Sequence, residues 1–252
     1  MTAVRNIRAV SAKELYCYFA SPVAYVFFII FLMLMGFFTF MWGNFFEQGE
    51  ATLSSFFIWH PWLYLFLVPA MAMRLWSEEQ QSGTIELLFT LPIKPWHAIV
   101  GKYFAGCVFL GLALALTFPM VISINVLGNP DNGIVMTGYF GSFLTAAAFL
   151  SIGCLTSALT RNQVISFVIA VVICLLAILC GFPPVTDALL DLEVAWININ
   201  TLVDFVAGFS VVPHFQTMQR GVVDVRDVLY FLSVIVFSLF ATGIVLRSKR
   251  SI

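Results

Sequence analysis

Six apolar stretches constrain this chain more than any other feature. They lie near residues 23–42, 56–73, 98–127, 136–160, 163–182 and 228–246. Each can cross ~30 Å of hydrocarbon as about 20 helical residues. Composition points the same way: 61% of the residues are hydrophobic and 10% are charged, against about 25% charged in a soluble domain. A surface that poor in charge needs lipid as its solvent. The expected fold is therefore all-α, a polytopic membrane protein whose six transmembrane helices form one domain over residues 1–252. The third stretch is long enough to tilt, and Pro119 should kink it.

The basic residues set the orientation. Arg5, Arg8 and Lys13 precede the first stretch, Arg74, Lys94 and Lys102 surround the second connection, Arg161 lies in the fourth, and Arg247, Lys249 and Arg250 follow the last. The other side holds only Arg220 and Arg226, together with nine acids: Glu47, Glu50, Asp131, Asp187, Asp191, Glu193, Asp204, Asp224 and Asp227. Basic loops stay in the cytoplasm, so both termini are expected there, in a bacterial inner membrane. Trp42, Trp59, Trp62, Trp76 and Trp96 fall near stretch ends, as an aromatic belt requires.

Three parts do not span. Residues 4–20 read as an interfacial helix stopped by Ser21-Pro22. Their helical wheel puts Arg8 within the apolar arc of Val4, Leu15 and Phe19, where its head must snorkel. They lack the continuous apolar core of a signal peptide. Residues 74–97 form a cytoplasmic connection. Residues 183–227, with Trp196, Phe205, Phe209 and Phe215, should fold as short helices over the outer mouth.

Catalytic chemistry is missing. The sequence has no phosphate loop of the GxxxxGK[ST] type, no HExxH, no GxSxG and no paired carboxylates within a span. The five cysteines have no metal-ligand spacing, and a net charge of −1 argues against nucleic acid. No Asp, Glu, Lys or Arg lies deep in a span, which counts against an ion-coupled transporter. His60, flanked by Trp59 and Trp62 near the outer interface, reads as an interfacial histidine.

The informative segment is 74–102. Glu78 and Glu79 end the second span, where the helix dipole disfavours acids, so they are either solvated or face a basic partner. Gly83 permits a turn. Thr84 can cap a following helix, with Glu86 in its first turn. Ile85, Leu87, Leu88, Phe89 and Leu91 make that helix apolar, and Pro92 and Pro95 end it. Such a helix either lies on the lipid surface or docks into a soluble partner.

Arg74-Leu-Trp-Ser-Glu-Glu-Gln-Gln-Ser-Gly-Thr-Ile-Glu-Leu-Leu, followed by Leu91-Pro92 and Gly101-Lys102, resembles the acidic-SGT-x-E-LL element of type-2 ABC transporter permeases. Lys13-Glu-Leu-Tyr-Cys-Tyr-Phe-Ala-Ser-Pro-Val-Ala-Tyr25 and His214-Phe215, then Arg220-Gly221-Val-Val-Asp224-Val-Arg226-Asp227-Val-Leu-Tyr230, are similar to the gliding-motility F-type branch. The resemblance implies an ABC-2 permease subunit with no catalytic residue, cofactor or metal of its own. ATP and Mg would be held by a separate cytoplasmic ATPase. It further implies a partner permease, either a second copy or a relative, and export as the direction. Glu78, Glu79, Ser82, Gly83, Thr84 and Glu86 would then couple the ATPase to the second and third spans. Arg220, Asp224, Arg226 and Asp227 would clamp the outer segment through local ion pairs, or else gate it or bind a partner with a periplasmic domain.

Two rivals stand beside this reading. One keeps the fold but transmits force to a periplasmic partner without moving a substrate. The other is a lipid-modifying enzyme using His214 and Asp204, which nothing in the sequence brings together. Thr117, Ser123, Asn125, Thr145 and Ser151 are the polar residues that could line a pathway, and they suit interhelical hydrogen bonds equally.

Overall fold

The computed structural model describes residues 2–47, 52–85, 94–182, 184–185 and 207–250, and among them there is no strand. In chain order the helices are α1 (Thr2–Ala20), α2 (Pro22–Phe37, prolonged by a π-helical turn Phe38–Trp42), α3 (Ser54–Phe57), α4 (His60–Ala72) and α5 (Arg74–Gln81). They continue as α6 (Pro95–Ala115), α7 (Pro119–Leu127), α8 (Asn132–Leu159), α9 (Gln163–Leu179), α10 (Val211–Gln219) and α11 (Val225–Arg250). Five segments are long and apolar enough to cross a membrane: Pro22–Trp42, Ser54–Gln81, Pro95–Leu127, Asn132–Leu159 and Val225–Lys249. The sixth, Gln163–Leu179, has 17 residues. At 1.5 Å per residue it is about 26 Å long, the short end of what spans hydrocarbon.

Local chemistry sets the boundaries. Ser21 is extended and its hydroxyl accepts from Val23 N, while Pro22 opens α2, where a missing N–H costs nothing. Asp131 and Asn162 cap α8 and α9 through Gly133 N (2.8 Å) and Val164 N (2.9 Å). The third segment breaks after Ala115 and restarts at Pro119, because Pro119 offers no N–H to the carbonyl one turn back.

α8 is the axis of the bundle. Its most apolar 18-residue window is 83% buried, against 22% for the α2 segment. Small residues let neighbours close on it. A Cβ on Gly153 would stand 2.4 Å from the Ala72 side chain of α4, and one on Gly138 would stand 2.5 Å from the Phe57 ring. Tyr64 of α4 reaches Ser142 of α8 at 2.8 Å.

α1 docks on protein rather than only on lipid. Val10 lies against Gly101, Ser11 Oγ donates to Gly101 O at 2.8 Å, and the rings of Tyr18 and Phe19 meet Phe109 at 5.4 and 6.2 Å. α1 and α6 therefore run side by side in the same direction. The docked face takes in Phe19 from the Val4/Leu15/Phe19 arc of the helical wheel but not Val4, which is 72% exposed. Arg8 is exposed as well, so its position no longer conflicts with the packing.

The side chains of α1, α5, the start of α6 and the last turns of α8 and α11 gather at one end, which carries most of the basic residues. The opposite end holds α3, α7 and α10.

Candidate functional site at the basic end

α4 does not run smoothly into α5. The chain passes through Met73, four residues after an internal proline, Pro69. Beyond that point the N–H groups of Trp76 and Ser77 donate to Ser157 Oγ of α8, at 2.9 and 3.0 Å. Ser157 Oγ in turn donates to Met73 O at 2.8 Å. A hydroxyl has one proton and two lone pairs, and all three are used here. The Ser77 hydroxyl also donates to Met73 O. A side chain inserted into a helical ladder is a recognised cause of a kink, and this one comes from the most buried helix in the molecule.

The first residues after the break are bound on several sides. Trp76 is buried, and its Nε1 donates to Cys154 Sγ at 3.2 Å. Lys102 of α6 is 3% exposed. Its Nζ donates to Glu14 of α1 (3.0 Å), Glu79 of α5 (2.9 Å) and Leu75 O (2.9 Å), and it sits 5.1 Å from the Trp76 ring centroid. Three charge-assisted bonds and a cation–π contact thus lock α1, α5 and α6 together.

Gln80 completes the anchoring. Its Nε2 donates to Ser157 O (3.3 Å) and Ala158 O (3.0 Å), while its Oε1 accepts from Lys249 of α11 at 2.6 Å. Lys249 also donates to Ala158 O (2.8 Å) and Leu159 O (3.1 Å). An ammonium at the C-terminus of α8 meets the negative end of its dipole.

Adjacent acids therefore do different things. The basic partner of Glu79 is Lys102, within the chain. Glu78, one position earlier and about 100° around the helix, faces outward at 57% exposure, and among the described residues its salt-bridge partner is Arg74 at 3.5 Å. Beyond it Ser82, Gly83 and Thr84 are exposed. Ser82 Oγ donates to Glu78 O at 2.8 Å and lies 2.9 Å from Thr84 Oγ1. Gly83 has φ +72°, in the left-handed region. Glu86 and the apolar helix expected over 85–91 fall almost wholly outside the described residues.

At the opposite end, one of the four charged residues expected to clamp by local ion pairs, Asp227, does pair, with His214 of α10, and the other three differ from it. Arg220, Asp224 and Arg226 are exposed, and among the described residues none of them forms a salt bridge. Asp224 instead caps α11, accepting from Arg226 N at 3.0 Å. Asp227 is buried and pairs with His214 Nδ1 at 2.6 Å. The His214 ring stacks on Tyr230 at 4.2 Å, and Tyr230 OH donates to Phe209 O at 2.5 Å. Asp204, Trp196 and Phe205 lie outside the described residues. His60 is fully buried, packed on the rings of Phe56, Phe57 and Tyr64. It is a core residue of the bundle.

The five polar residues considered for a pathway bond nearby. Thr117, Ser123, Asn125, Thr145 and Ser151 each bond a carbonyl three or four residues back; Thr117 also meets Tyr139, and Asn125 pairs with Asn132. No group of three or more His, Cys, Asp or Glu among the described residues is placed to hold a metal.

A sequence model described as "ABC-2 family transporter protein" matches residues 64–247, which runs from within α4 to the last turns of α11. No curated protein sequence matches the chain.

Proposed function

The chain belongs to the ABC-2 family of transporter proteins, and from that premise we propose that it is the membrane subunit of an ATP-driven exporter. In this reading α9 is the sixth membrane-crossing helix, both termini lie in the cytoplasm, and two copies pair with two cytoplasmic ATPase subunits. ATP and Mg belong to those subunits, and this chain performs no chemistry. In this reading the chain falls in the gliding-motility F-type branch that its sequence resembles, which names no cargo.

The observation that carries the proposal is the anchoring of α5. A helix end that receives a push must be gripped by the helices it is to move. α5 is held by α1 and α6 through Lys102, by α8 through Ser157, and by α11 through Gln80 and Lys249. Its exposed side, with Glu78, Ser82, Gly83 and Thr84, is the surface offered to the ATPase, and Glu86 continues it in sequence. Glu79 acts from inside, as part of the grip.

The test uses Glu78→Lys and Gly83→Val. Neither residue is buried, so both variants should insert at normal levels. Valine at φ +72° costs about 1–2 kcal/mol, enough to displace the turn. Co-purification of the ATPase or its substrate-linked turnover in reconstituted membranes should fall at least several-fold. Wild-type values for both variants would remove the exposed side of α5 as the coupling surface.

A further inference from the structure

A groove runs between α1, α2, α4 and α5, with Phe109 of α6 at its floor, and encloses a cavity of about 410 Å³. That volume lies within the range of small-molecule sites. Its walls are graded. At the basic end stand Glu14, Arg74 and Glu78; farther along stand Val26, Ile30 and Leu67. Ile30 lies nine residues beyond Ser21 on α2, about 13 Å at the helical rise. The groove therefore has one ionic end and an apolar body, aligned with the helices that cross the membrane.

We propose that this groove binds a membrane amphiphile whose head group carries both a phosphate and an amine. The charges argue for that class. Arg74 and Glu78 are 3.5 Å apart and 42% and 57% exposed, so each can take a further partner. A guanidinium offers several donors to a phosphate, and a carboxylate accepts from an ammonium. A head group that is only anionic would meet Glu78 and Glu14, and a simple cation would meet Arg74. Glu14 is already committed to Lys102 at 3.0 Å. The apolar walls take the hydrocarbon: Val26 and Ile30 are 51% and 41% exposed and open the groove sideways. The proposal does not depend on the ATPase.

The test is native mass spectrometry of the full chain in detergent, titrated with phosphatidylethanolamine or phosphatidylglycerol bearing the same acyl chains. Phosphatidylethanolamine should bind at least about fivefold more tightly, roughly 1 kcal/mol. Ala70→Trp and Val26→Trp, which fill the apolar body from two helices, should each weaken it by a similar factor. Val26 is exposed, so its replacement keeps the fold even if the other does not. Arg74→Ala should erase the preference between the two lipids. Equal binding of both lipids by the wild type, or undiminished phosphatidylethanolamine binding in both tryptophan variants, would overturn the proposal. So would a dimer that falls to monomer in those variants with lipid binding unchanged, which would assign the groove to a second copy.

Discussion

The two ends of the bundle are tied in opposite ways. At the basic end the bonds join residues far apart in sequence: Lys102 to Glu14 spans 88 positions and Lys249 to Gln80 spans 169. At the opposite end the ion pair His214–Asp227 spans 13 positions and joins helices already linked by a turn at Gly221, φ +88°. The first kind of bond holds separate helices in a common frame. The second shapes one hairpin and leaves the rest of the bundle alone. The basic end is therefore a polar junction, while at the opposite end the charged pair closes one hairpin and α10 is held to the bundle by packing of Met218 on Gly141 and by a hydrogen bond from Ser210 Oγ to Ile178 O at 3.2 Å.

The largest expected effect would come from Lys102→Met. It strands the carboxylates of Glu14 and Glu79 in a nearly closed site, and removing one partner of a buried pair costs about 3–5 kcal/mol. Thermal unfolding should shift strongly downward, with partial recovery when Glu14→Gln and Glu79→Gln are added. An unshifted transition would mean that the junction is no tighter than the hairpin. Ser157→Ala comes next. It leaves the Trp76 and Ser77 N–H groups without their acceptor, at about 1–3 kcal/mol for a buried group left unpaired. Protection from hydrogen exchange should drop in α5 and in the last turns of α8 together. Loss confined to one of the two would show that they are not joined. The smallest effect belongs to Asp227→Asn, which keeps the shape and weakens one charge-assisted bond. Exchange should rise in α10 and the first turn of α11 only, with a global cost of about 1 kcal/mol. A loss reaching α5 would erase the distinction between the ends.

What could be read from the sequence follows the same division. Apolar length locates the spanning helices, Pro119 marks a break, Ser21-Pro22 stops α1, and Gly83 takes the positive φ its position called for. These are properties of a residue and its neighbours along the chain. The partner of Glu79 was not legible. Lys102 lies 23 positions away, behind a segment with its own turns, and read as one more loop charge. Ser157 sat in an apolar run as an unremarkable small residue. His60, between tryptophans, carried the signature of an interface, and its burial among Phe56, Phe57 and Tyr64 was not legible. Helices that are apolar on every side give little rotational signal, so which residues meet across them depends on packing that no single segment encodes. Of the local pairs expected at the other end, Asp227 forms one, with His214, while Arg220 and Arg226 form no salt bridge among the described residues, because charge near charge in sequence is not always charge facing charge in space.

The splice at Met73 has a mechanical consequence. A continuous helix is a stiff rod, and a load at one end bends it along its whole length. Here the hydrogen-bond ladder is interrupted at Met73, and a hydroxyl belonging to α8 bridges the interruption. Twist applied to α5 does not reach α4 through an unbroken ladder. Part of it is carried sideways through the Ser157 side chain, so α8 serves as a bearing against which α5 turns. Three hydrogen bonds on one oxygen atom stiffen that joint, beside those that Trp76 and Gln80 make to the same helix.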